Sequence, residues 1–190
     1  MPNNVKRLLI VLICSMLTIT RLSAQIQIGV TGNYSGPVQR YASFADGLWG
    51  GGLTVRYSLK PQLVVGLTTR YFTYGESFST GFAQGNTRSS ELRLAGEVDY
   101  FLTTSKLRPY AGIETGLYRS TFRLDTTIPL VETTTYSSND FGFAPKIGVQ
   151  YAMSPAIALN AEVGYHLVIF RSTTSRSLLL SAGVFFTIAK

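Results

Sequence analysis

The chain has 190 residues, 45% of them hydrophobic and only 14% charged, with 18 glycines and a formal net charge of +7. Soluble domains carry about 25% charged residues, so a surface bathed entirely in water fits this composition poorly. Lys and Arg are not clustered, a single cysteine is present, and no apolar run reaches the roughly 20 residues of a spanning helix; a nucleic-acid footprint, a disulfide scaffold and a helical membrane protein are excluded.

Residues 1–24 read as a secretory signal. Lys6 and Arg7 precede the apolar run 8–17, and Leu22-Ser23-Ala24 sets the expected cleavage after Ala24. Cys14 lies inside this segment, and Ile13 before it is too large for a lipoprotein signal. Without Lys6, Arg7 and Arg21 the 17 basic residues fall to 14 against 10 acidic, so the expected mature chain carries +4 and no cysteine.

From residue 25 onward apolar residues recur with a period of two, the mark of strands with two unlike faces. The first expected strand, 25–34, sets Ile26, Ile28, Val30 and Tyr34 against Gln25, Gln27, Thr31 and Asn33. After a polar loop, 35–46, the second (47–59) opposes Trp49, Leu53, Val55, Tyr57 and Leu59 to Gly50, Gly52, Thr54, Arg56 and Ser58. Lys60-Pro61 then turns the chain. The third (62–74) opposes Leu63, Val65, Leu67 and Tyr71 to Gly66, Thr68 and Arg70, and a long loop is expected over 75–87. The fourth (88–102) alternates Leu92, Leu94, Val98, Tyr100 and Leu102 with Glu91, Arg93, Ala95, Glu97 and Asp99 before a short turn at 103–106.

The fifth (107–122) opposes Leu107, Pro109, Ala111, Ile113 and Leu117 to Arg108, Gly112, Glu114, Gly116 and Tyr118. Pro109 suits a strand end or bulge. The longest expected loop, 123–139, follows. The sixth (140–153) sets Phe141, Phe143, Ile147, Val149, Tyr151 and Met153 against Gly142, Ala144, Lys146, Gly148 and Gln150, and Ser154-Pro155 turns. The seventh (156–170) sets Ile157, Leu159, Val163, Tyr165 and Leu167 against Asn160, Glu162, Gly164 and His166. A loop at 171–177 leads to the closing strand, 178–190, with Leu178, Leu180, Ala182, Val184, Phe186 and Ile188 on one face. Leu179, Ser181, Gly183, Phe185 and Thr187 are on the other.

Eight strands joined by connections that alternate long and short are the pattern of an all-β, eight-stranded antiparallel up-and-down transmembrane β-barrel. A strand ending Val-x-aromatic-x-aliphatic occurs four times, at 55–59, 98–102, 149–153 and 184–188. The first three run straight into a short turn. Such repetition suggests strands that finish at one common plane.

Alternation alone leaves a soluble ligand-binding barrel open, since that fold puts the apolar set inside. The mixed face argues for the inverse arrangement. It holds Arg56, Arg70, Glu91, Arg93, Glu97, Asp99, Arg108, Glu114, Lys146 and Glu162, five basic and five acidic, spaced by glycines. Inside a narrow barrel long ionic side chains need small neighbours and must be paired; on the short hairpins the register allows Lys146 to meet Glu162 and Asp99 to meet Arg108. The apolar face carries only Arg119, near its long-loop end. Tyr57, Tyr100, Tyr151 and Phe186 lie on that face near the short turns, and Tyr34, Trp49, Tyr71, Phe141 and Phe143 near the long loops. Two such belts are what the edges of a lipid slab select; packing in the core of a soluble sandwich is the bland alternative.

Over 25–190 the chain resembles the small outer-membrane β-barrels of the OmpA/OmpX transmembrane type, and more closely the β-barrel domain proteins common in Bacteroidota, a porin-like Gram-negative group. Ser181-x-Gly183-x-x-Phe186-x-Ile188 resembles the C-terminal signal read by the barrel-assembly machinery, and Ala24-Gln25 resembles a signal-peptidase junction of that phylum. The resemblance implies residence in the cell outer membrane and contact with outer-membrane lipid. It also implies the barrel-assembly machinery as a partner during insertion, and other outer-membrane proteins as further partners.

His166 is the only histidine. Outer-membrane lipid A deacylases use a His-x-Ser strand motif, but here His166-Leu167-Val168 lacks the serine, so a hydrogen bond inside the barrel is the better reading. A lone histidine is also poor support for a metal, and no cofactor is expected. Glu91, Glu97 and Asp99 with Arg93 read as part of a salt-bridged plug, and Gly50-Gly51-Gly52 lacks the lysine of a phosphate loop. Thr126, Thr127, Thr133, Thr134, Thr135 and Tyr136 make the third long loop polar without a recognisable motif. The expectation is a non-enzymatic barrel with a plugged lumen, serving envelope structure, surface interaction through its long loops, or a larger complex. A narrow channel for small or hydrophobic solutes and a lipid-modifying enzyme remain as alternatives.

Overall fold

A computed structural model describes residues 25–38, 47–80, 83–126, 134–169 and 174–188. The signal expected at 1–24 lies outside them. Eight strands follow in order: β1 (Ile26–Pro37), β2 (Leu48–Ser58), β3 (Leu63–Thr80), β4 (Ala83–Phe101), β5 (Leu107–Thr126), β6 (Thr134–Ala152), β7 (Ile157–Ile169) and β8 (Thr174–Ile188). Each pairs antiparallel with the next, and β1 closes on β8 from Ile26 opposite Ile188 to Pro37 opposite Ser177. Closure leaves the ring no edge, which is what backbone in lipid requires.

The side-chain faces follow the period-two reading in every strand. Along β1 the odd residues Gln27, Gly29, Thr31, Asn33 and Ser35 are buried in the lumen while Ile26, Ile28 and Val30 are exposed outside. Leu53, Leu67, Leu94, Ile113, Ile147, Val163 and Leu180 are likewise exposed, an outer surface that only an apolar solvent satisfies. The short turns are tight. Lys60 and Leu63 exchange backbone hydrogen bonds of 3.1 Å, and the Ser154 hydroxyl accepts from the amides of Ala156 and Ile157. Pro145, with no N–H to give, falls where the β6–β7 ladder skips residues 144 and 145.

Two expected loops are largely strand. β3 and β4 stay paired from Leu63–Tyr100 up to Thr80–Ala83, and β5 and β6 up to Leu124–Thr134. Most of 75–87 and much of 123–139 therefore form long hairpins. β1 likewise runs on to Pro37, and β8 begins at Thr174 rather than 178. β2 reaches only Trp49–Thr73 against β3, and β7 only Phe141–Ile169 against β6. Above those pairs β3 to β6 continue as a four-stranded sheet projecting beyond the ring.

Candidate functional site

The lumen brings charged residues together by a rule that hairpin register does not show. Cross-strand neighbours inside are often alike in sign: Arg70 stands opposite Arg93, and Glu97 opposite Glu114. Like charges directly opposite repel, so these side chains reach past their neighbours. Arg70 on β3 donates to both oxygens of Glu114 on β5 at 2.6 and 2.7 Å, and at 2.8 Å to Glu162 on β7. Arg56 on β2 donates to Glu97 at 2.7 Å and lies 3.2 Å from Asp99 and 3.4 Å from Glu162. Lys146 on β6 binds Glu97, lies 3.1 Å from Asp99 and donates to Glu162 at 3.5 Å. All seven of these residues are 6% exposed or less. The interlock ties six strands, β2 to β7, together across the barrel.

Asp99 meets Arg56 and Lys146, not Arg108 as the hairpin register suggested. Arg108 instead donates at 2.7 Å to the carbonyl of Pro61 and stacks 4.3 Å from the Phe101 ring. The reason is geometric, since Asp99 faces Gly112, and a Cβ on that glycine would collide with its carboxylate. Lys146 does reach Glu162, although its register partner is Gly164.

Aromatic rings divide the lumen into tiers, each carrying an arginine. Arg108 lies on Phe101; Arg56 lies 4.4 Å from Phe185 and 5.5 Å from Tyr110; Arg93 lies 4.5 Å from Phe72 and 5.2 Å from Tyr118. A guanidinium is weakly hydrated and planar, so it can leave water against a ring face. Tyr110 donates to Glu162 at 2.8 Å, and in the outermost tier Arg93 holds Glu91 at 2.6 Å and Ser35 at 2.8 Å. His166 is buried there, its Nδ1 2.7 Å from the Tyr118 hydroxyl. Glycines make this density possible. A Cβ on Gly66 would sit 2.7 Å from Glu97 Oε1, one on Gly52 2.9 Å from Arg70 Cγ, and Gly142 and Gly148 seat the rings of Tyr118 and Tyr110.

Phe185 and Tyr118 fall on the mixed face read from sequence, whereas inward Phe72, Phe101 and Tyr110 are missed by it. The parity of their strands was the available signal, hidden because a ring inside a barrel reads like a ring in any core. Among the described residues no group of three His, Cys, Asp or Glu side chains could hold a metal ion.

Outside, the four repeated strand ends fall at one level. Tyr57, Tyr100, Tyr151 and Phe186 stand opposite Ile26, Leu63, Leu107 and Ile157, the first apolar residue of the paired strand in each case. At the other end Tyr34 packs on Trp49 with ring centroids 4.9 Å apart, and Trp49, Tyr71, Phe141 and Phe143 are exposed. Between these levels a shallow apolar groove of about 930 Å³ follows the cross-strand row Pro109, Val149, Ala161, Ala182 and Gly32. In β8, Ser181 and Gly183 face the lumen, and Phe186 and Ile188 face outward.

A closed eight-stranded barrel, apolar outside and ionic within, is an integral membrane protein of the outer-membrane type. The sequence matches the family model described as outer membrane protein beta-barrel domain over residues 9–186, and the chain belongs to that family. Family and fold place it in the outer membrane. Among solved structures it is similar to Neisserial surface protein A, at 19% identity with a TM-score of 0.59, covering 88% of this chain and 98% of that one. It is also similar to Ail, the attachment invasion locus protein of Yersinia pestis, solved with the heparin analogue sucrose octasulfate, at 13% identity and a TM-score of 0.56, covering 87% and 97%. A major outer membrane protein from Thermus thermophilus is similar at 15% identity and a TM-score of 0.57, covering 88% and 100%. At these identities the likeness is one of fold. No curated protein matches the chain significantly in sequence.

Proposed function

We propose that this is a non-enzymatic surface protein of the outer membrane, whose ring serves as an anchor with a plugged lumen and whose projecting β3–β6 sheet engages partners outside the cell. The projection carries the reading. Residues 75–80 of β3 and 135–140 of β6 have a ladder neighbour on one side only among the described residues. Strand edges invite pairing with another chain, and proteins that avoid it place Lys or Pro there. Residues 135–139, Thr-Tyr-Ser-Ser-Asn, contain neither.

The plug rests on the three arginine–aromatic tiers and the interlocked ions between them. At His166 the Nδ1 that an orienting carboxylate would hold is taken by the Tyr118 hydroxyl, which disfavours catalysis there.

Pull-downs from solubilised outer membranes and from surface extracts should recover a partner with the wild type that is lost with Thr135→Pro/Ser137→Pro. Identical captures would count against the edge. In planar bilayers the protein should give no discrete openings, and regular conductance steps would replace this reading with the channel.

A further inference from the structure

Outward parity continues above the apolar band. On β4 the exposed Leu94 and Leu92 are followed by Ser90 and Arg88, and on β5 Ile113 and Leu117 by Arg119, Thr121 and Arg123. The register brings these into rows: Arg119 opposite Leu92, Thr121 opposite Ser90, and Arg123 opposite Arg88. All three arginines are exposed. Among the described residues Arg88 and Arg119 have no ion-pair partner, and Arg123 holds only Asp125, two residues along its own strand at 3.0 Å.

We propose that Arg88, Arg119 and Arg123 bind the phosphate groups of lipid headgroups in the outer leaflet. Height is the first support. On β5 the outward apolar band runs from Leu107 to Leu117, about ten steps of ~3.3 Å at a tilt of ~40°, or roughly 25 Å of membrane, the height expected of a lipid-facing band. Arg119 is the next outward position, at the boundary between acyl chains and headgroups, and the Arg88–Arg123 pair rises into the headgroup layer.

Charge is the second support. Two arginines directly opposite repel, and an anion between them removes that cost. Guanidinium forks match phosphate oxygens in a bidentate way. Ser90, Thr121 and Ser137, the last two 3.3 Å apart through their hydroxyls, line the space between the two levels. The cluster is continuous with the lipid-covered face, and Arg119 lies beside Leu92, so its occupant has to be part of the bilayer.

The test uses the mature barrel in phosphatidylcholine vesicles doped with spin-labelled phosphatidic acid or spin-labelled phosphatidylcholine, reading the motionally restricted fraction by electron paramagnetic resonance. The wild type should retain phosphatidic acid over phosphatidylcholine by about five-fold or more, and Arg88→Gln/Arg119→Gln/Arg123→Gln should lose that preference, given the roughly five-fold effect of one arginine near a charged surface. Arg176→Gln removes an exposed cation of β8 elsewhere on the rim and should keep the preference. Unchanged circular dichroism shows that each variant is folded. Equal selectivity in wild type and triple variant would overturn the proposal. So would full displacement of the phosphatidic acid by a soluble sulfated saccharide, which would assign the arginines to a glycan instead.

Discussion

Two arginine–carboxylate pairs show how differently the two halves of this molecule are held. In the ring, Arg70 and Glu114 are 2% and 1% exposed and join β3 to β5 across the lumen, and Arg70 also reaches Glu162 of β7. In the projecting sheet, Arg123 and Asp125 are 56% and 44% exposed and lie two residues apart on one strand. The chemical groups are much the same, yet only the first pair links separate strands, and only there is water absent to compete. The ring is therefore fixed by side chains that span it, the sheet above mainly by its backbone ladder.

That contrast orders the effects of substitution. Glu162 serves Arg56, Arg70, Lys146 and Tyr110 together. Glu162→Ala leaves buried cations short of a partner and should lower stability by about 3–5 kcal/mol in urea unfolding from detergent micelles. Gly142→Ala drives a methyl into the Tyr118 ring, which His166 and Arg93 hold in place, and should cost about 1–3 kcal/mol in the same assay. Arg123→Ala should change it by less than about 1 kcal/mol, because the pair it breaks is exposed. If Arg123→Ala matched Glu162→Ala, the distinction between a spanned ring and a ladder-held sheet would vanish.

The same contrast explains what could be read from sequence. Where one side of a strand meets lipid and the other the lumen, alternation is strong, and Leu94 against Ala95 or Ile147 against Lys146 assigns each face. Above the apolar band both sides of the sheet meet polar surroundings, headgroups or water. Stretches such as Thr135-Tyr136-Ser137-Ser138-Asn139 then lose their contrast and pass for loop, although they pair with β5. Ion-pair partners were legible only in part. Hairpin register reveals adjacent strands, whereas Asp99 on β4 finds Arg56 on β2 and Lys146 on β6, each two strands away. The glycines that make room and the inward parity of Tyr118 were visible, but which glycine seats which ring, Gly148 under Tyr110 and Gly142 under Tyr118, is known only from the closed barrel.

The central claim is that the apolar face meets acyl chains. Nitroxide labels at Leu94→Cys, Ile147→Cys and Val163→Cys, in a mature chain expected to have no other cysteine, test it in lipid vesicles. At all three positions collisions with oxygen should exceed those with a water-soluble nickel chelate. Labels shielded from both reagents, as in a packed interior, or reached more readily by nickel, would contradict the account.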